Sequence, residues 1–353
     1  MRIGIAGTGG IGYASAAWLA HAGHDVQVWS PRGEGATALR HEPLRSEGVL
    51  EASVRVRVAA SAEALARDAE VLLIAVPLNG HKRVMDSMLP HLRSGQSIVV
   101  SSMASLSSLY LFEQALIRGI DVTVASFGTT VLTARRTGAA QVRVMTRRSE
   151  LDVSALPRAR ESEALALCRE LFGDLFVAQD NCLASALTNI NPVAHGALAV
   201  FNWTRIERAE NWPQYHYMTP QVARAITTID AERLALARAF GLQVRTIEEH
   251  FAKSFGTGSA TLADIAAELH AKRGGPPGPT DTGTRFLAED MPYGLAFCEV
   301  LGDMAGVPMP ATHTMVRTAS LILGRDLAAE NEFVDALALR KESTRGLLAR
   351  VDR

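Results

Sequence analysis

The sequence predicts an α/β domain, built on a doubly wound and mostly parallel sheet, followed by an all-α domain. Three observations carry this. The first half of the chain alternates short β-prone runs with helical ones, the rhythm of β-α-β units. Two of those runs, 71–76 and 97–101, are apolar almost throughout, as strands buried on both faces are. From about residue 181 nearly every segment repeats its apolar residues with helical period. The expected domains are therefore 1–180 and 181–353, which suits a chain of 353 residues because domains commonly run to ~100–200.

Each element has its own signal. Residues 2–6 form a β-prone run that ends at glycines, and 11–22 is an alanine-rich helix. Residues 25–29 give a second strand through Val26 and Val28, and 31–50 reads as a polar, glycine-containing connection. Residues 54–58 read as a strand, and Ser61 caps a helix over 62–68. The strand 71–76 is closed by Pro77. A helix over 79–92, a strand over 97–101, a helix over 105–118 and a strand over 122–126 follow. Residues 141–147 alternate polar and apolar side chains, the mark of an edge or antiparallel strand. A helix over 162–172 and a last strand over 175–178 complete the domain. The helical domain reads 192–209, 219–239, 246–251, 261–270, 294–304 and 313–323, interrupted by Gly274-Gly275-Pro276-Pro277-Gly278-Pro279.

Composition narrows the function. With 36 basic and 37 acidic residues the chain has no bulk field for a nucleic acid or a membrane surface. No run reaches the ~18 apolar residues of a membrane span. Glycines at positions 4, 7, 9, 10 and 12 break up the apolar start, so a signal peptide is not expected. Cys168, Cys182 and Cys298 lack metal-ligand spacing, which implies buried free thiols, no metal and a reducing cytoplasm. Only Lys82, Lys253, Lys272 and Lys341 are available to a lysine-based mechanism.

Gly7-Thr8-Gly9-Gly10-Ile11-Gly12 fits G-x-G-x-x-G between a strand and a helix at the start of a β-α-β unit. In that setting Gly7 permits the tight turn, Gly9 lets backbone approach a pyrophosphate, and Gly12 lets the helix pack on the strand. This is the fingerprint of a Rossmann dinucleotide site, with the helix N-terminus facing the phosphates. An acidic residue at the end of the second strand would bind the ribose 2′-hydroxyl of NAD. Here Trp29-Ser30-Pro31-Arg32 stands instead. Ser30 can donate to a 2′-phosphate and Arg32 can pair with it, so NADP(H) is the preferred cofactor and NAD(H) the other possibility. The alternative is that Arg32 is an ordinary surface residue beside an NAD site.

Two segments of the helical domain stand out. In Asn191-Pro192-Val193-Ala194-His195-Gly196, Asn191 suits an N-cap and Pro192 the first helical position. His195 then lies four residues on, with Asn202 seven further on roughly the same face. Small and polar neighbours leave room for a substrate, and they suit a hydrogen-bonded structural histidine just as well. In Arg285-Phe286-Leu287-Ala288-Glu289-Asp290-Met291-Pro292-Tyr293-Gly294, the paired acids either cap the helix that follows or orient a histidine.

At these two segments the chain resembles the opine dehydrogenase family, the octopine and nopaline dehydrogenases and their bacterial relatives. Asn191-Pro192-Val193-Ala194-His195 is similar to the family's Asn-Pro-x-x-His signature, and residues 285–295 to its Arg-Tyr-x-x-Glu-Asp-x-Pro-x-Gly-Leu segment. Ala305-Gly306-Val307-Pro308-Met309-Pro310 also fits, and the resemblance runs from the first strand to about Asp326. It departs at Gly196, where many members have proline, and at residues 127–135, which match loosely. The resemblance implies a Rossmann domain joined to a helical domain with the active site between them. It implies NAD(P)H-dependent reductive condensation of an amino acid with a 2-oxo acid through an imine. It makes His195 the acid–base residue and Asp290 its carboxylate partner. Arg285 is then expected at a substrate carboxylate, with Asn191 and Asn202 nearby, and a homodimer through the helical domain is expected. Two other readings are a ketopantoate-reductase-like 2-oxo acid reductase, which would need a lysine, and a non-catalytic NADP(H) sensor.

Overall fold

The computed structural model describes the backbone of all 353 residues and every side chain except that of Arg273. The chain groups into two compact units, Met1–Ala186 with Ala349–Arg353, and Leu187–Leu348. The division lies a few residues past position 180, and the last residues return to the first unit. There Arg350 forms a two-pronged, largely buried ion pair with Glu113, and Asn181 Nδ2 donates to Asp352.

The first unit holds twelve strands: β1 (Arg2–Ala6), β2 (Asp25–Trp29), β3 (Leu44–Gly48), β4 (Ala52–Val54), β5 (Arg57–Val58), β6 (Val71–Ile74), β7 (Ser97–Val100), β8 (Thr123–Ser126), β9 (Leu132–Gly138), β10 (Gln141–Arg147), β11 (Leu151–Leu156) and β12 (Phe176–Ala178). Eight form the main sheet in the order β12-β11-β8-β7-β6-β1-β2-β5. The Rossmann-like core from β8 to β5 is parallel, and β11 runs antiparallel to β8. The chain winds one way from β1 to β2 and then crosses to β6 on the other side, so β1 stands at the switch point where such sheets bind ligands. Ala6 pairs with Ile74, Ile74 with Val100 and Val100 with Ser126, so these strands end level. Helices α1 (Gly10–His21), α2 (Ala62–Asp68), α3 (His81–Met88), α4 (Ser107–Ile117) and α5 (Glu161–Phe172) connect them.

The remaining four strands form a second sheet, β4-β3-β10-β9, which the sequence pattern shows only at 141–147. The expected connection 31–50 contains a 3-10 turn, Glu34–Arg40, and strand β3. The expected strand 54–58 is two pieces, β4 in the small sheet and β5 at the edge of the large one. β9 and β11 carry no expectation at all. For β9 and β3 the physical reason is shared. β9 exposes Arg135, Arg136 and Thr137, and β3 buries only Leu44 and Ser46, so their burial comes from packing and not from an apolar run.

The second unit is helical. After α6 (Cys182–Thr188) come α7 (Asn191–Phe201), α8 (Trp203–Glu207), α9 (Pro220–Ala239), α10 (Ile247–Phe255), α11 (Leu262–Arg273), α12 (Arg285–Ala288), α13 (Ala296–Ala305) and α14 (Pro310–Leu323). Buried Asp230 and Arg233 of α9 pair with each other. Asp230 accepts from the Ile247 amide at the start of α10, and Arg233 donates to the carbonyls of Leu187 and Arg245. The Gly/Pro loop is not a loose spacer. Trp212 is fully buried, its indole donates to the Pro279 carbonyl, and a Cβ on Gly278 would lie 2.1 Å from its ring. Among the described residues no helix is long and apolar enough to cross a membrane.

Candidate functional site

The glycine turn uses its four glycines for different reasons. Gly7 has φ +132°, and a Cβ there would lie 2.2 Å from the Ala75 carbonyl oxygen. A Cβ on Gly12 would lie 2.1 Å from the Gly7 oxygen. A Cβ on Gly10 would lie 2.7 Å from the Ala134 oxygen, because β9 packs on the start of α1. Only Gly9 faces open space, with nothing within 4 Å. The turn is thus crowded on the protein side and bare where a pyrophosphate would sit. α1 begins without a side-chain cap, so its N-terminus is left for an anion.

A cavity of about 320 Å³ opens here, lined by Gly7, Thr8, Gly9, Ser30, Pro31, Arg32, Ala75, Val76, Pro77, Asn79, Gly80, Arg83 and Val84. It brings Ser30 and Arg32 together with the turn. Gly10, Ile11 and Gly12 lie outside the lining, in the first turn of α1. The lining holds no carboxylate, so a dinucleotide with its negative phosphates fits this surface. Sequence reasoning missed Thr8, Asn79 and Arg83, which reach the cavity from the turn itself and from the segment after β6.

His81 opens α3, in that same segment. The ring is fully buried behind the cavity wall, with Nε2 3.1 Å from the Val76 carbonyl and Nδ1 3.1 Å from Ser107 Oγ. Nε2–H therefore donates to Val76, and Nδ1 accepts from the serine. Burial pushes its pKa down to about 4 from the usual 6.5. Above pH 6.5 the ring is neutral in folded and unfolded chains alike. As pH falls from 6.5 toward 4, only the unfolded chain takes up the proton, so stability is lost across that window, by roughly 3 kcal/mol. Urea titrations of the wild type and His81→Gln at pH 7 and pH 4.5 check this: the variant's loss between the two is smaller. Equal losses would exclude His81 as the source.

In the second unit, glycines again allow the decisive approach. Met291–Leu295 is a single π-helical turn leading into α13. Such turns are frequent at functional sites. A Cβ on Gly294 would lie 2.3 Å from the Pro192 ring, and one on Gly196 would lie 2.7 Å from Leu295 Cδ1. The π turn therefore packs directly on α7. That contact places His195 Nδ1 2.8 Å from Asp290 Oδ2. Asp290 is 1 % exposed, and its Oδ1 has no hydrogen-bond partner among the described residues. It stands where an N-cap would, yet its carboxylate caps nothing and takes the histidine instead. Phe286 stacks flat on the His195 ring, centroids 3.7 Å apart and 6° from parallel. The carboxylate fixes the Nδ1–H tautomer, the phenyl ring fixes the plane, and Nε2 is left for chemistry.

The other expected residues are placed unevenly. Arg285 Nε lies 4.0 Å from Asp290 Oδ2, while its side chain is half exposed. Asn191 is the first helical residue and not the cap, which is Ile190; the backbone N–H of Asn191 donates to Asn189 Oδ1. Asn191 and His195 share one face of α7 at four-residue spacing. Asn202 ends the helix, buried, with Nδ2 donating to the Leu198 carbonyl, so its amide serves the helix terminus. All three cysteines are buried free thiols, and burial pushes each pKa up to about 12.

Residues 178–323 match the NAD/NADP octopine/nopaline dehydrogenase alpha-helical domain family, and residues 3–158 match the ketopantoate reductase PanE/ApbA family. The opine dehydrogenase of Arthrobacter sp. (strain 1C) is 28% identical over 99% of this chain and 98% of its own. Across its whole length the chain is similar to the opine dehydrogenases. Among solved structures, octopine dehydrogenase in complex with NADH and agmatine aligns at a TM-score of 0.81 and 18% identity, over 99% of this chain and 98% of that one. Yersinopine dehydrogenase with NADP+ bound aligns at 0.71 and 16%, over 100% and 98%. At those identities the likeness is one of fold. Opine dehydrogenases are nicotinamide-dependent oxidoreductases, and these two structures hold different nicotinamide cofactors.

Proposed function

We propose that this protein joins the amine of an amino acid to a 2-oxo acid and reduces the imine, with NADP(H) as the preferred cofactor. The His195–Asp290 hydrogen bond carries the reading, because it leaves one imidazole nitrogen oriented and available. When bound, NAD(P)H supplies the hydride. The glycine turn, Ser30 and Arg32 hold the dinucleotide. The amine nitrogen adds to the oxo carbon, and its proton passes to the oxygen. His195 Nε2 then protonates the departing hydroxyl, which leaves as water as the C=N bond forms. Asp290 keeps Nδ1–H in place and balances the charge the ring carries while it holds a proton. Arg285 clamps a substrate carboxylate, since both substrates carry one.

The test is a matrix of NADPH or NADH, 2-oxo acids and amino acids, followed by loss of the reduced cofactor's absorbance. Oxidation that needs both organic substrates is the expected result. Oxidation with a 2-oxo acid alone would sink the proposal in favour of a simple reductase, the reading that the match at residues 3–158 favours. Tight dinucleotide binding without turnover across the matrix would favour a sensor.

A further inference from the structure

Arg83 is a residue that stability does not account for. It is exposed, the third residue of α3, and it lines the cavity. A cation in the first turn opposes the helix dipole, and α3 has no acidic residue there to offset it. Its neighbour Lys82 is tied to Asp86 one turn on, at 2.7 Å. The guanidinium of Arg83 has no such partner among the described residues, and neither has that of Arg32. Two unpaired guanidinium groups and the Ser30 hydroxyl therefore line one cavity that contains no carboxylate.

We infer that Arg83, with Arg32 and Ser30, seats the 2′-phosphate of NADP(H) and sets the preference for NADP(H) over NAD(H). The inference rests on reading this cleft as the dinucleotide site. A phosphate monoester carries a charge of about −1.5 to −2 at pH 7 and offers three acceptor oxygens. One arginine leaves much of that charge unmatched; two match it, and a planar guanidinium grips two oxygens at once. NAD(H) has no group for this seat, so it gains nothing from either arginine.

Binding to the full chain tests this without turnover. Wild type, Arg83→Gln and Arg32→Gln would be titrated with NADPH, NADH and adenosine 2′,5′-bisphosphate by calorimetry. Wild type is expected to bind NADPH at least ~10-fold tighter than NADH. Arg83→Gln is expected to lose ~10–100-fold for NADPH and for the bisphosphate, with NADH within ~2-fold, the range of a lost charge-assisted hydrogen bond. Without ligand, Arg83→Gln should melt at or above the wild-type temperature, because the cation leaves the helix start. Unchanged NADPH affinity in Arg83→Gln, or equal loss for NADPH and NADH, overturns the inference. If Arg32→Gln alone loses NADPH selectively, the cleft reading stands and the role of Arg83 falls. A wild type that binds no dinucleotide brings both down.

Discussion

His195→Ala is expected to lower turnover by ~100-fold or more while dinucleotide affinity stays within ~2-fold. The separation follows from position: the histidine belongs to the second unit, and the residues of the dinucleotide cavity belong to the first. Removing the ring also leaves Asp290 with neither oxygen hydrogen-bonded, at a cost of about 1–3 kcal/mol in stability. Melting curves are therefore measured beside kcat, so that lost fold is not read as lost chemistry. Asp290→Asn is the companion. Its carboxamide oxygen can still accept from Nδ1–H, but the negative charge that balances a protonated ring is gone, so kcat falls although the packing is kept. The double variant should be little worse than the worse single one, because the two act as a unit. Near-normal kcat in His195→Ala, or fully additive losses in the pair, would remove the dyad from the mechanism.

Gly12→Ala should destabilise the first unit by about 3 kcal/mol and abolish measurable dinucleotide binding. The added methyl would sit 2.1 Å from the Gly7 oxygen and 2.7 Å from the Gly7 carbonyl carbon, both backbone atoms. Gly7 is itself tied down, its N–H donating to the Trp29 carbonyl at 3.0 Å. Gly9→Ala is the control. Its methyl meets nothing within 4 Å, so the melting temperature is expected to hold while the methyl enters the space a pyrophosphate needs. One variant breaks the turn and the other only fills it. A Gly12→Ala protein that melts and binds like wild type would refute this reading of the turn.

What could be read from the sequence was whatever a local pattern determines. The glycine turn announces itself because its spacing is its geometry. His195 and Asp290 are legible as residues worth naming, through the segments that contain them. Their pairing is implied by the family resemblance and by no local pattern, since it depends on Gly196 and Gly294 letting two distant segments touch. Arg83 and His81 were invisible for a related reason. Both lie just after β6, and only the crossover at β1 turns that segment toward the cleft. The small sheet escaped notice because β3 and β9 have too few apolar residues to alternate.

The return of Ala349–Arg353 to the first unit makes that unit discontinuous, with Leu187–Leu348 as a long insertion inside it. On the ribosome, Glu113 waits for Arg350, and Asn181 for Asp352, until the inserted unit has been made. At ~5–20 residues per second this is a delay on the order of 10–30 s. A chain released after Ala186 would keep the glycine turn and lose the clasp, so a dinucleotide domain cut at that point leaves Glu113 without its Arg350 partner.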